Sequence, residues 1–178
     1  MSLKELTKDN HTAAEQTKFM KAVFKGTLPL HLWADFLYQK SLIYNAIESC
    51  AIDLGLIADI PELKRAFYLL EDSRACALNY ELRYQRASID YYEYIMSLYP
   101  DPNKIMSHLY VWHMGDLYGG QMIKRVMLAP HSHLNFKDTG AIAGLLRSRT
   151  NDDMANEANN AFKWAIRVMQ EYDDQLTV

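Results

Sequence analysis

Cysteine is nearly absent. Cys50 and Cys76 are the only two, without metal-ligand spacing, which suits a reducing cytosol better than a disulfide framework. Long apolar runs are missing as well. No stretch approaches membrane-spanning length, and the opening MSLKELTKDNHTAAEQ is charged and periodic. Neither an anchor nor a signal peptide is expected, and a cytoplasmic location is. There is no phosphate loop, no GxGxxG, no HExxH and no CxxC. No glutamate is followed three residues later by histidine, which argues against a di-iron carboxylate site of the kind helical bundles build. A net charge of −3 speaks against broad nucleic-acid binding. Seven glycines and five prolines are spread so that no linker, low-complexity tract or internal repeat appears.

What is present is helical periodicity. With 178 residues and 49% of them hydrophobic, the chain suits one domain spanning 1–178 with a sizeable core. Ser2 and Glu5 read as a capping box that opens a first helix running to Gly26. A long second helix spans Leu28 to Leu54, with Pro29 in its first turn and Gly55 beyond its end. PELKRAFYLL forms a third element, followed by a helix from about Asp72 to Tyr84. Ser88 is expected to cap the next, which Pro100 and Pro102 end. A glycine-bearing helix covers roughly Asn103 to Leu128. Residues 129 to 133 form a loop, and helices around Ala141 to Arg149 and Asn151 to Gln175 close the chain. The pattern is an all-α, single-domain helical bundle.

Charge is uneven along that bundle. Residues 1 to 26 carry five basic against three acidic residues, and 101 to 149 carry six against three, whereas 27 to 100 carry six against ten and 150 to 178 two against six. Positive charge thus gathers in two segments, favouring an anionic ligand or an acidic partner on one face.

Those two segments also hold the unusual residues. GDLYGG, 115 to 120, places three glycines inside a helix, where each costs about 1 kcal/mol relative to alanine. Gly115, Asp116, Gly119 and Gly120 fall in one arc, a strip bare of side chains except for one carboxylate. Such a strip admits a flat or bulky group against the backbone, or simply a neighbouring helix. In the first segment Lys4, Lys8, His11, Glu15 and Lys18 share one helix face. His11 with a carboxylate one turn on suits a metal ligand oriented by its neighbour, and equally a solvated face. His31, His131 and His133 read as surface residues, His108 and His113 as packing or hydrogen-bonding residues, and most of the twelve tyrosines as core.

HTAAE at 11 to 15, LIYNAIE at 42 to 48, SHLYVWHMGDLYGGQMIKR at 107 to 125 and LLRSR at 145 to 149 occur in the order and approximate spacing of one family. The chain resembles haem oxygenase. The resemblance implies haem b, both cofactor and substrate, held between a proximal N-terminal helix and a kinked, glycine-rich distal helix. His11 matches the proximal iron ligand and Glu15 its orienting carboxylate. Gly115, Gly119 and Gly120 match glycines that touch the haem face. Asp116 matches the distal aspartate, which holds a water network. Tyr44 and Tyr110 match tyrosines of that network or of the haem edge, and Lys4, Lys8 and Arg147 match positions near the propionates.

The implied reaction is oxygen-dependent opening of haem at the α-meso carbon to biliverdin IXα, carbon monoxide and Fe(II). No flavin or nicotinamide motif is present, so electrons come from an external donor, for which a small acidic protein such as ferredoxin suits the basic segments. A bilin reductase is a candidate consumer of the product. The sequence departs from the family at Trp112, where arginine is usual, at His113, where an aromatic is, at Tyr118, where serine is, and at Ala143, often lysine. Trp112 and Tyr118 best support one alternative, a haem carrier or sensor of the same fold that does not degrade its ligand. A helical interaction protein that has lost haem is the other; the presence of both His11 and Asp116 weighs against it.

Overall fold

Capping and backbone geometry set where the helices begin and end in the computed structural model, which describes residues 1–176. Among the described residues nine α-helices follow in chain order: α1 Leu3–Leu6, α2 Lys8–Glu15, α3 Lys18–Phe24, α4 Leu30–Asp53, α5 Ala66–Ala77, α6 Arg86–Leu98, α7 Pro102–Val126, α8 Thr139–Ser148 and α9 Ala155–Gln170. Short 3-10 turns at Pro61–Leu63, Ser132–Leu134, Asp152–Met154 and Asp173–Gln175 complete them, and no strand occurs among the described residues.

The expected single first helix is three. Ser2 and Glu5 do form the reciprocal capping box. The helix then stops at Thr7, whose hydroxyl donates back to the Leu3 carbonyl at 2.9 Å. It stops again at Gln16, after which the Thr17 hydroxyl accepts the Met20 amide and starts α3. Lys4 and Lys18 therefore lie on different helices from His11 and Glu15. Gly26 and Gly55 follow α3 and α4 with φ of 66° and 70°, the left-handed geometry that ends a helix cheaply only for glycine.

Several boundaries differ from the sequence expectation, and the last helix is shorter, Ala155–Gln170, with a 3-10 turn on either side. Helix α5 begins at Ala66 rather than Asp72 and ends at Ala77, where Leu78 turns into the left-handed region with φ 53°. Ser88 does not cap α6: the helix starts at Arg86, and Ser88 lies fully buried inside it.

Helix α4 is the axis of the bundle, packed on α5, α6 and α7, while α9 supports α2, α3, α6 and α7. Because α4 is buried on nearly every face, its polar residues need partners. Glu48 accepts the Arg65 amide at 2.7 Å and the Ala66 amide at 3.2 Å, capping the start of α5. Asp35 accepts the Tyr172 hydroxyl at 2.6 Å and the Gln85 amide side chain at 2.7 Å, tying the C-terminal end to the core. Cys50 and Cys76 are free and buried. No described helix is long and apolar enough to cross a membrane.

His133 corrects a sequence expectation. It is fully buried, and its Nδ1 lies 2.7 Å from Asp72 Oδ2, which also accepts the His133 amide at 2.8 Å. Burial depresses the imidazole pKa; burial alone would raise that of Asp72, but the His133 hydrogen bonds outweigh it and hold the carboxyl below its usual range. His108 and Glu157, 2.9 Å apart, behave alike: burial lowers the histidine, and hydrogen bonds from His108 and Tyr94 hold the carboxyl down against its own burial. All four shifts mean that the unfolded chain takes up protons more readily. Stability is therefore full above an ordinary histidine pKa near 6.5 and falls as the medium acidifies below it, through the carboxylate range. Thermal melts across that range should show the decline, with His133→Asn flattening its upper part.

Candidate functional site

Helix α7 runs unbroken from Pro102 to Val126 through all three glycines. Their surroundings separate them. A methyl group on Gly120 would lie 2.6 Å from Leu134 Cδ2, so Gly120 is explained by the close approach of the 132–134 turn. At Gly115 and Gly119 a methyl group would meet nothing within 4 Å. Among the described residues no packing contact requires glycine at those two positions. Gly119→Ala is accordingly expected to raise the stability of the chain alone by about 1 kcal/mol, measured by thermal unfolding. A loss of stability would show that the space is not open.

Asp116, one residue on, points inward. It is 3% exposed, accepts the Tyr44 hydroxyl at 2.6 Å, and forms a buried ion pair with Lys40. Burial alone would raise its pKa, but the Lys40 charge and the hydrogen bonds from Lys40 and Tyr44 hold the carboxyl below its usual range. Tyr44, one turn beyond Lys40 on α4, is fully buried, and burial together with the Asp116 charge pushes its phenol well above an ordinary tyrosine. The Lys40 ammonium also sits 5.1 Å from the Tyr44 ring and 5.8 Å from the Trp112 ring. Lys40 was not among the residues singled out from sequence. The usable signal was a lone lysine one turn before Tyr44 in an apolar helix, together with Trp112 standing where a cation was expected.

Arg147 and Tyr118 form a second group. The guanidinium donates to the Tyr118 hydroxyl at 2.6 Å and lies 5.2 Å from its ring centre, joining the expected propionate partner to one of the departures from the family pattern. Both are solvent-accessible. Tyr110 lies nearly buried on the same helix as Tyr118; burial raises its phenol pKa, and the Arg147 charge works against that.

The proximal residues lie on the surface. Lys4, Lys8, His11 and Glu15 are all exposed, His11 Nε2 lies 3.7 Å from Glu15 Oε1, and the His11 ring meets the edge of Phe162 on α9 at 5.7 Å. Helices α2 and α7 thus share α9 as their support. His108 and His113 are packing and hydrogen-bonding residues: His108 joins Tyr91 to Glu157, and His113 stacks on Tyr44 at 4.5 Å with Nε2 2.9 Å from the Leu63 carbonyl. Among the described residues no cluster of three acidic, histidine or cysteine side chains could hold a bare metal ion. The donor set instead fits a metal that arrives in its own macrocycle: one accessible imidazole, an open glycine wall, a buried carboxylate beside it and surface cations.

A family model described as "Heme oxygenase" matches residues 1–145. Heme oxygenase 1 of Gallus gallus is 32% identical over 137 residues, covering 70% of this chain and 45% of that protein. Heme oxygenase 2 of Macaca fascicularis is 26% identical and covers 96% of this chain, which spans 64% of its length. The chain thus spans between about half and two thirds of those relatives. In structure it is similar to heme oxygenase-1 of Synechocystis in complex with heme, with a TM-score of 0.86 and 21% identity over 97% of this chain and 91% of that one. The heme oxygenase of Leptospira interrogans gives a TM-score of 0.84 at 25% identity, covering 96% of this chain and 100% of that one.

Proposed function

The chain belongs to the haem oxygenase family, and from that premise we propose that it opens haem at the α-meso carbon to biliverdin IXα, carbon monoxide and Fe(II), using oxygen and electrons supplied from outside. The observation that carries this reading is the pair Gly115 and Gly119, bare of any packing partner, beside the buried carboxylate of Asp116.

Haem, when bound, supplies the iron that takes oxygen and the ring that is oxidised. His11 is the residue to hold the iron, since its imidazole is accessible and has Glu15 within reach to orient it. Gly115 and Gly119 would offer the bound group a wall without side chains. Asp116 is kept ionised by Lys40, so its carboxylate accepts hydrogen bonds and orders water at the reacting face instead of donating its own proton. Tyr44 fixes that carboxylate from the α4 side. Arg147, steadied by Tyr118, would pair with a propionate, with Lys4 and Lys8 as further cations.

The test is an optical titration of the purified protein with haem, followed in time after adding ferredoxin, its reductase and reduced nicotinamide. Loss of the haem band with growth of a red-absorbing bilin band is the expected result; a haem band that forms, reduces and persists would mean a carrier or sensor. The same titration completes the glycine prediction: Gly119→Ala, stabilising in the chain alone, weakens haem binding because its methyl group occupies the wall.

The electron donor we infer is a small acidic protein such as ferredoxin. Gly26, at the end of α3, abuts the Val126 carbonyl at the end of α7, so the basic residues that close both helices share one end of the molecule. Lys21→Glu or Arg125→Glu, in the last turns of α3 and α7, should slow reduction by ferredoxin at low salt and converge on the parent chain at high salt. Equal salt dependence in parent and variants would exclude that docking face. A bilin reductase is the matching consumer of the product.

A further inference from the structure

Next to Tyr44 begins a run of aromatic rings that the proposed reaction does not use. Tyr44 meets Trp112 edge to face at 5.9 Å. Trp112 lies 6.2 Å from Tyr91, and Tyr91 stacks on Trp164 at 5.1 Å with an interplanar angle of 2°. Tyr44 and Tyr91 are fully buried and Trp112 is nearly so, whereas Trp164 is only partly buried. It lines a surface depression of about 310 Å³ together with Tyr94, Asn160, Lys163 and Arg167. The run therefore leads from the Asp116 side of the site to the surface at α9.

The hydrogen bonds around Tyr91 point one way. Glu157 is held ionised, so the nitrogen facing it, His108 Nε2 at 2.9 Å, carries the hydrogen. In a neutral imidazole that leaves Nδ1 with a lone pair. Nδ1 lies 2.6 Å from the Tyr91 hydroxyl, which therefore donates to it. The Tyr91 oxygen in turn accepts the indole N–H of Trp112 at 2.9 Å. A buried phenol is hard to ionise, and burial indeed pushes Tyr91 well above an ordinary tyrosine. Losing an electron and a proton together avoids leaving a charge on the phenol, and a short bond to a basic nitrogen is the arrangement that permits it.

We propose that Tyr44, Trp112, Tyr91 and Trp164 form a path along which one oxidising equivalent leaves the haem site, with Tyr91 as its resting place and His108 as the proton acceptor. The proposal rests on the haem reading above. The oxidant is haem oxidised by a hydroperoxide, a by-product of oxygen reduction. It gains one electron and Tyr91 loses one, passed through Trp112, which returns to its starting state with its N–H in place. The Tyr91 proton moves to His108 Nδ1, giving a neutral tyrosyl radical and an imidazolium whose Nε2–H stays on Glu157. An external reductant then delivers one electron through Trp164, and the proton returns from His108 to the Tyr91 oxygen. The path removes an oxidant that would otherwise attack the site itself.

Pulse radiolysis with the azide radical, which oxidises indoles first, tests the path in the haem-free chain. Trp164 is the most exposed of the three tryptophans, since Trp33 and Trp112 are buried, so the oxidant enters there. The tryptophan radical band should decay as a tyrosyl band grows, at a rate independent of protein concentration and slower in heavy water. Tyr91→Phe should remove most of that phase. Tyr94→Phe should leave it, although Tyr94 also approaches Trp164, at 5.4 Å. The reverse pattern would overturn the proposal. In parallel, the haem-loaded protein mixed with cumene hydroperoxide and freeze-quenched should give a tyrosyl electron paramagnetic resonance signal that falls several-fold in Tyr91→Phe and in Trp112→Phe, the latter keeping the phenol intact. A haem band with an undiminished radical in both variants overturns the path and leaves the haem reading standing. Transfer to Tyr91 without any haem band keeps the conducting rings and overturns the haem reading.

Discussion

Lys40→Met should destabilise the chain by about 3–5 kcal/mol, the usual cost of stranding one partner of a buried ion pair. In a domain of this size that lowers the melting temperature by roughly 10 °C. Methionine keeps the length and apolar stem of lysine, so packing against the Tyr44 and Trp112 rings changes little, and the loss reports the charge. Asp116 is left with the Tyr44 hydroxyl alone in a buried site, and burial, no longer opposed by the ammonium, pushes its carboxyl pKa up. The variant therefore recovers part of its stability as the pH falls through the raised value toward the ordinary carboxylate range, where the parent chain only loses. Removing both charges in Lys40→Met/Asp116→Leu should restore most of the loss, because no unpaired charge remains to be buried. A double-mutant cycle on thermal or urea unfolding reads the coupling. Losses that simply add would show that the pair is not coupled, and Asp116 would then need another explanation for staying ionised.

That pair also marks where the sequence stopped being readable. Helix α7 and its glycines were legible because the signals are local: prolines that end the helix before it and residues that a helix disfavours. The end of α5 was not, since Leu78 takes a left-handed turn with no glycine to announce it, and neither were the breaks at Thr7 and Gln16, where helical periodicity continues across the interruption. The Asp116–Tyr44 contact could be expected only through the resemblance, because the partners are 72 residues apart. Lys40 had only the indirect guide of Trp112: a lysine in a helix ordinarily faces water, and the packing of α4 on nearly every face turns it inward. His133 was misplaced for the opposite reason. A histidine in a proline-containing loop reads as exposed, but the 132–134 turn folds under α5 and Asp72 draws it in.

His11→Ala is expected to separate fold from function. The His11 side chain is half exposed, and its contacts are an edge against Phe162 and a 3.7 Å approach to Glu15, so its removal should leave stability within about 0.5 kcal/mol. Its effect on haem should be large. The imidazole is the one accessible nitrogen ligand on α2, and Glu15 cannot replace it as a neutral donor. The variant should lose the histidine-ligated haem spectrum, and bilin formation should slow by at least about a hundredfold, on the scale of losses seen when even a ligand's supporting partner is removed. Imidazole added to the solution can occupy the vacated space beside Phe162, and it should restore the spectrum and part of the rate. Three outcomes are informative. Loss with rescue assigns the iron to His11. Loss without rescue, with a parent-like melting curve, means that the ring has a further role in shaping the proximal face. An unchanged haem spectrum would move the ligand elsewhere, and the accessible histidine His31 would be the next to replace.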